Sequence, residues 1–255
     1  MSQADAHNLN HEDQYHREFV DYWDELVGWE GRARSEGDFY EHLITEQGGR
    51  EVADVACGTG FNSIQLARAG LVVTATDGSP NMIAKTRANA KTHGVSLAKT
   101  QVVDWTTVHE QLGEARFDAL ICLGNSFTHL FEHEPRVAAV RSFYRALRPG
   151  GVLILDHRNY DTMLDEGFST SHQHCYTGDG VQAYPVDLHD GLARFEYKFP
   201  DGAVFNLNMF PLRRGYVTGL LQDAGFVDLR DFGDYRADYE LADADFIQQV
   251  ARKPA

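Results

Sequence analysis

Apolar residues in the middle of the chain form short runs that alternate with segments of helical spacing. Five runs predict strands, at 52–55, 72–76, 101–103, 117–123 and 152–156. Three segments between them predict helices, at 64–69, 81–91 and 137–147. This alternation favours a doubly wound, mostly parallel sheet, because a parallel strand is reached only through a crossover connection.

The two flanks of this region carry different patterns. Apolar residues between Tyr15 and Glu46 recur at helical spacing and predict two helices that lie over the site. Short alternating segments at 192–199 and 203–209 flank Pro200-Asp201-Gly202, which predicts a hairpin in an inserted cap. A helix at 215–224 and strands at 227–232 and 246–250 then complete the sheet. The predicted division of this single catalytic unit is 1–161 for the lid and core, 162–212 for the cap and 213–255 for the rest of the core.

The charge and the cysteines limit the possible partners. The 255 residues carry a formal charge of −15, which disfavours nucleic acid because phosphates would be repelled. Three cysteines without paired spacing predict neither disulfides nor a zinc site, and the histidines of the polar segment before 17 lack metal-binding companions. The sequence shows no leader and no membrane span, so we expect a cytoplasmic protein that acts on a small molecule.

A glycine loop follows the first predicted strand. Asp54-Val55-Ala56-Cys57-Gly58-Thr59-Gly60 leads into a helix whose first N–H groups face the region above the sheet. Gly58 and Gly60 permit a sharp turn and close approach of a ligand. Asp77 ends the next strand and is an acceptor suited to a ribose diol. These features predict a nucleoside site.

Ser63 distinguishes between two cofactor classes. A dinucleotide site requires a third glycine at this position so that helix and strand pack closely over a pyrophosphate. The serine disfavours a dinucleotide oxidoreductase, which remains the first alternative. The pattern resembles motif I of class I methyltransferases, and the resemblance implies S-adenosylmethionine as cofactor, with Asp77 on its ribose.

Polar residues follow three further strands, at the edge where open α/β sheets bind ligands. Asp104-Trp105 offers a carboxylate and an indole face to an adenine. Gly124-Asn125 offers a carbonyl and an amide. Arg158 follows the fifth strand, where its planar guanidinium suits a carboxylate; a structural ion pair with Asp156 or Asp161 is its alternative role.

Three segments together resemble glycine N-methyltransferase and the glycine/sarcosine and sarcosine/dimethylglycine methyltransferases of betaine synthesis. The segments are Asp54 to Gly60, Ile121-Cys122-Leu123-Gly124-Asn125-Ser126-Phe127 with His129-Leu130, and Asp156-His157-Arg158-Asn159-Tyr160-Asp161. The resemblance implies a Rossmann-like, seven-stranded sheet with an N-terminal helical lid and an antiparallel β cap after the fifth strand. It implies direct transfer of a methyl group to the amine of glycine, sarcosine or dimethylglycine.

The resemblance also assigns residues. Arg158 holds the acceptor carboxylate, Tyr15, Gly124 and Asn125 lie at the methyl-transfer site, and Tyr197 contacts the acceptor from the cap. Arg34 holds the methionine carboxylate. The full set of implied cofactor contacts is Tyr15, Trp23, Arg34, Ala56, Gly58, Gly60, Asp77, Met82, Asp104, Trp105, Leu123 and His129.

The chain departs from the animal glycine enzyme in its cap. It has Tyr176-Thr177 where that enzyme has two tyrosines, and Met209-Phe210-Pro211-Leu212 where that enzyme has Tyr-Tyr-Pro-His. Both changes remove hydroxyl groups, which favours a more methylated acceptor. A non-catalytic sensor of S-adenosylmethionine is the second alternative, and the presence of Arg158 and Asn125 argues against it.

Overall fold

A computed structural model describes residues 14–46, 48–169 and 177–255. In these ranges the strands are β1 Glu51–Asp54, β2 Val72–Asp77, β3 Lys99–Val102, β4 Phe117–Cys122, β5 Leu147–Arg158, β6 Gln182–His189, β7 Leu192–Lys198, β8 Val204–Met209, β9 Val227–Gly233 and β10 Phe246–Arg252. The α-helices are α1 Arg17–Asp21, α2 Trp23–Val27, α3 Trp29–Glu36, α4 Phe39–Thr45, α5 Phe61–Arg68, α6 Pro80–Thr92, α7 Val108–Leu112, α8 His133–Ala146, α9 Tyr160–Asp165 and α10 Arg214–Asp223.

Seven strands form one sheet in the order β3-β2-β1-β4-β5-β10-β9. The first five strands of the chain pair in parallel, and β10 pairs antiparallel with both β5 and β9. The winding reverses between β1 and β4, so the loops after these two strands border a crevice at the carboxyl edge of the sheet. The predicted doubly wound sheet is confirmed.

Two apolar layers cover the faces of this sheet. On one face, Phe117, Phe127 and Phe143 are buried with α8 and α10. On the other face, Val52 and Ile154 are buried against α4 and α5. Parallel strands buried on both sides need continuous apolar runs, and this requirement explains the runs seen in the sequence.

A separate antiparallel sheet, β6-β7-β8, forms the predicted cap after β5. Along β7, Ala193, Phe195 and Tyr197 are buried on one face, because side chains alternate along a strand. This face packs on Phe19 and Leu26 of the N-terminal helices. The cap and the N-terminal helices therefore enclose a shared apolar layer over the crevice.

The prediction of two N-terminal helices is wrong. Four short helices, α1 to α4, occupy the segment before β1. Gly28 ends α2 with φ of 62°, in the left-handed region that interrupts an α-helix, and Gly37 ends α3 with φ of 54°. Apolar residues are sparse along α3, so apolar spacing did not predict it as a separate helix.

The two described cysteines are buried, and His16 caps a helix. Cys57 and Cys122 are buried free thiols, and burial raises the pKa of each well above its usual value. The His16 ring accepts a hydrogen bond from the Phe19 N–H at the start of α1. The expectations for residues 1–13, Cys175 and Tyr176 concern positions outside the described residues. No helix in the described ranges is long and apolar enough to span a membrane.

Candidate active site

One cavity lies at the carboxyl edge of the large sheet, between the glycine loop, the N-terminal helices and the cap. The predicted site residues that line it are Tyr15, Trp23, Ala56, Gly58, Asp77, Met82, Asp104, Trp105, Leu123, Gly124, Asn125, His129, Arg158 and Tyr197. Arg34 and Gly60 are absent from its lining. The structure therefore brings together nearly all of the residues that the sequence nominated from distant segments.

Asp77 anchors the glycine loop. One of its carboxylate oxygens accepts the Gly58 N–H at 2.9 Å, and the other accepts the Ser79 N–H at 2.9 Å. A Cβ at Gly58, whose φ is 54°, would lie 3.3 Å from Trp23 Nε1. Gly58 therefore lets the loop adopt a positive φ and approach Trp23 closely, and Asp77 fixes the loop from below.

Gly60, which the resemblance implies as a cofactor contact, lies outside the cavity lining. Gly60 has φ of 97° and precedes the first residue of α5. A Cβ at Gly60 would lie 3.0 Å from the Thr86 side chain on α6. Gly60 therefore allows α5 and α6 to pack closely behind the loop, and it supports the site from outside the cavity.

Ser63 holds the acidic residue of the loop. Its hydroxyl donates to Asp54 Oδ2 at 2.6 Å, and both side chains are buried. This contact gives a structural reason for serine at the position where a dinucleotide site has glycine.

Asp54 should make stability depend on pH. Burial raises its pKa to about 7, although hydrogen bonds from Ser63 and Ala56 oppose the shift. The folded state therefore keeps a proton that the unfolded chain releases near pH 4, and the free energy of unfolding falls as pH rises through this window. Between about pH 5 and pH 8, we expect the free energy of unfolding to fall by about 3 kcal/mol less in Asp54→Asn than in the wild type. Chemical denaturation of both proteins at both pH values measures it, and equal falls would contradict the assignment.

Arg32, rather than Arg34, is the arginine of α3 at the cavity. Arg32 lines the cavity and is 7% exposed, whereas Arg34 is exposed to solvent. Two residues span about 200° of an α-helix, so these side chains occupy opposite faces. Arg32 Nε lies 2.5 Å from Glu36 Oε1, and Glu36 Oε2 accepts a hydrogen bond from Asn62 at 2.7 Å. The role that the resemblance implies for Arg34 stays a prediction, and Arg32 is the better placed of the two arginines to contact a ligand.

Glutamine substitutions at Arg32 and Arg34 form a matched pair. If Arg32 holds the carboxylate of the cofactor, Arg32→Gln should weaken binding of S-adenosylhomocysteine roughly 10-fold or more, since hydrogen bonds to charged groups contribute about 1.5–3 kcal/mol. Arg34→Gln should change it less than about 2-fold, because the side chain faces solvent. Titration calorimetry measures both, and a larger effect at Arg34 would restore the original assignment.

Asp104 and Trp105 form one wall of the cavity after β3. The Asp104 carboxylate accepts the Thr106 N–H at 2.8 Å, and the Trp105 indole N–H donates to the Val55 carbonyl at 2.7 Å. These bonds fix the loop between two strand ends. The indole plane and the remaining carboxylate oxygen are consequently held in position for a planar ligand.

Tyr15 and His129 meet at the opposite wall. The Tyr15 hydroxyl lies 2.6 Å from His129 Nε2, and the Tyr15 ring packs edge-on against Trp23 at 5.2 Å. Burial raises the pKa of Tyr15 well above its usual value, and Asp77 adds to this shift. Tyr15 is therefore a neutral hydroxyl, which can orient a ligand but does not act as a phenolate base.

Asn125 is held by hydrogen bonds on every side. It adopts a left-handed conformation with φ of 62°. Its N–H donates to Asp156, its Oδ1 accepts the Arg158 N–H at 3.1 Å, and its Nδ2 donates to the Tyr160 hydroxyl at 2.9 Å. The side chain therefore ties the loop after β4 to the end of β5, and the adjacent Gly124 is exposed in the cavity.

Arg158 presents its guanidinium between two aromatic rings. Its Cζ lies 4.4 Å from the centre of the Phe195 ring and 5.1 Å from that of Phe246. Within the described ranges no Asp or Glu forms an ion pair with it, so its alternative role beside Asp156 or Asp161 is not observed. Burial raises the pKa of Tyr197 and the charge of Arg158 opposes this shift, which places the two groups close together.

Some residues of the site were not predicted from the sequence. Arg32, Tyr160, Phe195 and Phe246 belong to helices or strands with unremarkable apolar spacing, and only the tertiary structure brings them to the cavity or to Asn125. Met209 had been noted only as a departure, and its sulfur lies 2.8 Å from Asn125 Nδ2.

The strand order, the glycine loop and the acidic residue after β2 define a class I methyltransferase. Residues 52–151 match the family model described as a methyltransferase domain. The chain belongs to the glycine/sarcosine N-methyltransferase family. It is 46% identical to the glycine/sarcosine N-methyltransferase of Halorhodospira halochloris, over 98% of this chain and 94% of that protein. It is 48% identical to that of Aphanothece halophytica, over 96% of this chain and 91% of that protein.

Two further similarities are informative. The chain is 42% identical to a glycine/sarcosine/dimethylglycine N-methyltransferase of Actinopolyspora halophila, over 92% of this chain and 41% of that protein. A solved S-adenosylmethionine-dependent methyltransferase from Clostridium acetobutylicum superposes with a TM-score of 0.69 over 93% of this chain and 98% of that chain. Their identity is 16%, so this second similarity supports the fold alone.

Proposed function

We propose that the protein is an S-adenosylmethionine-dependent N-methyltransferase that methylates glycine, sarcosine or dimethylglycine, in glycine betaine synthesis. The observation that carries the proposal is the Arg158 guanidinium, which faces the cavity between two aromatic rings without an ion-pair partner among the described acidic residues. A partly buried guanidinium that faces a cavity favours an anion there, and a small amino acid supplies a carboxylate. Membership of the family supports the same acceptor class.

The cavity fits the cofactor at each end. Asp77 is the acceptor for the ribose hydroxyls, Trp105 and Asp104 flank the adenine, and Arg32 holds the methionine carboxylate. The bound cofactor supplies an electrophilic methyl group on a sulfonium. Gly58 lines the same cavity, between the residues proposed for the two ends of the cofactor.

The residues of this chain contribute mainly by placement. Arg158 fixes the acceptor carboxylate, while Tyr15 and the Gly124 carbonyl orient the neutral amine toward the methyl group. The acceptor amine would lose its proton to solvent before attack. Its nitrogen would then bond to the methyl carbon as the sulfur–carbon bond breaks, which leaves S-adenosylhomocysteine. Correct placement of two reactants contributes about 7–11 kcal/mol, so no strong base is required. Asn125 holds the loop and Arg158 in register.

Transfer of a labelled methyl group from S-adenosylmethionine to a panel of amines tests the proposal. The panel contains glycine, sarcosine, dimethylglycine, and amines of similar size that lack a carboxylate. We expect transfer to one or more of the three acids and little to the amines. Equal transfer to amines without a carboxylate would overturn the assignment of Arg158.

The N-terminal helices should act as a lid over the bound ligands. Tyr15 reaches the cavity from a segment that contacts α6 through Asn81 and through the pair of Asn89 with Asp24. The segment also packs on the cap through Phe19, and we expect ligand binding to stabilise this closed arrangement. Addition of S-adenosylhomocysteine and acceptor should protect the amides of residues before about 24 from hydrogen exchange. Equal exchange in the free and ligated protein would argue against a lid.

A further inference from the structure

Asp156 is a buried carboxylate that the mechanism above leaves without a role. It is 0% exposed and lies two residues before Arg158 on β5, so both side chains project to the same face of the sheet. Oδ1 accepts the Asn125 N–H at 2.8 Å, and Oδ2 accepts the Tyr40 hydroxyl at 3.2 Å. Asp156 therefore lies directly beneath the loop that follows β4.

The bond from Asn125 to Asp156 determines where the preceding carbonyl points. The Asn125 N–H and the Gly124 C=O belong to one peptide group, and the described chain contains no cis peptide. In a planar trans peptide these two groups point in opposite directions. Because the N–H is directed into the protein toward Asp156, the Gly124 carbonyl is directed outward, into the cavity that Gly124 lines.

The backbone conformation agrees with this orientation. Gly124 and Asn125 both have positive φ, 76° and 62°. Such a conformation costs energy at a residue with a side chain, although asparagine tolerates it better than most residues. A charge-assisted hydrogen bond from the Asn125 N–H to a buried carboxylate offsets part of that cost. The same bond polarises the peptide and strengthens the Gly124 carbonyl as an acceptor.

We propose that Asp156 is a positioning residue that orients the Gly124 carbonyl to accept an N–H from the acceptor amine. This inference rests on the proposed function, since it needs an amine bound between Gly124 and Arg158. Two side chains on the same face of β5 then have complementary roles. Arg158 contacts the acceptor carboxylate directly, and Asp156 acts on the acceptor nitrogen through the peptide.

The three candidate acceptors differ in the group that such a carbonyl would recognise. Neutral glycine carries two amine N–H groups, sarcosine carries one and dimethylglycine carries none. A correctly oriented carbonyl therefore favours glycine and sarcosine, and it faces a methyl group when dimethylglycine is bound. A loss of this orientation should affect the first two acids and spare the third.

The test compares Asp156→Ala and Asp156→Asn with the wild-type protein. We expect Asp156→Ala to lower kcat/KM for glycine and sarcosine roughly 10- to 100-fold, and Asp156→Asn to lower it less because its oxygen can still accept the Asn125 N–H. The kcat/KM for dimethylglycine, or its inhibition constant if it acts as a competitive inhibitor, should change less than about 2-fold. The dissociation constant of S-adenosylhomocysteine should also change less than about 2-fold.

Tyr40→Phe is the matched control. It removes the hydrogen bond to the other oxygen of Asp156 and leaves the bond to Asn125 intact. We expect its acceptor kinetics to remain within about 2-fold of wild type. Three results would overturn the proposal. The Asp156 variants could have normal acceptor kinetics, their kcat/KM or affinity could fall equally for all three acids, or their affinity for S-adenosylhomocysteine could fall to the same extent.

A measurement on the free protein separates this inference from the proposed function. Nitrogen–proton NMR should show the Asn125 amide shifted downfield and protected from exchange in the wild type, and neither property in Asp156→Ala. If the wild type methylates none of the three acids, the proposed function fails, and with it the role of the carbonyl. An unshifted, unprotected Asn125 amide in the wild type would overturn the inference by itself.

Discussion

Replacement of Arg158 by lysine is expected to lower kcat/KM for the amino-acid acceptor about 10- to 100-fold, mainly through KM, while the affinity for S-adenosylhomocysteine stays near that of wild type. Lysine keeps the positive charge but loses the planar pair of donors that matches a carboxylate. It also loses the flat surface that packs between Phe195 and Phe246. Arg158→Ala should be worse, because the acceptor carboxylate would be left without a counter-charge.

Steady-state kinetics with glycine and sarcosine, together with calorimetry of S-adenosylhomocysteine, measure this effect. Arg145→Lys is a suitable control, because Arg145 pairs with the exposed Glu114 on the far side of the molecule. It should leave both quantities unchanged, since exposed ion pairs contribute little. An Arg158→Ala protein with normal acceptor kinetics would show that another group binds the carboxylate.

The sequence was sufficient to predict the sheet and most of the cavity, because both depend on local pattern. Strands buried on two sides require continuous apolar runs, and ligands bind where those strands end. Asp77, Trp105, Asn125 and Arg158 each follow a predicted strand, so their positions could be predicted without knowledge of the side-chain packing.

The rest of the site depends on packing that spacing does not encode. Arg32 and Arg34 differ by two positions on α3, and the rotation of that helix was not specified by its sparse apolar residues. The loop after β4 presented Asn125 as a ligand-binding amide, yet its amide is bonded to Tyr160 and to the Arg158 backbone. Asp156 belongs to a segment that carries the family resemblance, but its hydrogen bond to the Asn125 N–H is visible only in the structure.

Asn125 holds the loop and Gly124 presents its carbonyl to the acceptor, and this difference changes the interpretation of substrate preference. The replacement of two tyrosines of the animal enzyme by Met209 and Phe210 favoured the more methylated acids. A carbonyl directed at the amine by Asp156 favours acceptors that retain an N–H. The kinetic comparison of the three acids therefore shows whether the apolar side chains near Met209 or the Gly124 carbonyl mainly determines the choice of acceptor.

The second large effect is expected at Asp77, which should carry most of the specificity for the cofactor ribose. Asp77→Ala should weaken binding of S-adenosylhomocysteine by about 1–3 kcal/mol, the usual loss when hydrogen bonds to a charged group disappear. Part of that loss comes from the loop, because Asp77 also accepts the Gly58 and Ser79 N–H groups. Asp77→Asn keeps one acceptor oxygen and should lose less.

Asp118 provides the control for the loop contribution. Its carboxylate likewise accepts two backbone N–H groups, from Arg50 and Glu51, each at 2.9 Å, at the start of β1. Asp118→Ala should therefore lower the free energy of unfolding without weakening the binding of S-adenosylhomocysteine. Asp77→Ala should lower the free energy of unfolding and also weaken that binding. Calorimetry and chemical denaturation of the two variants separate these outcomes. If a folded Asp77→Ala protein binds S-adenosylhomocysteine with unchanged affinity, Asp77 does not bind the ribose. Any damage to the loop would weaken binding further, so it could not conceal the loss of a ribose contact.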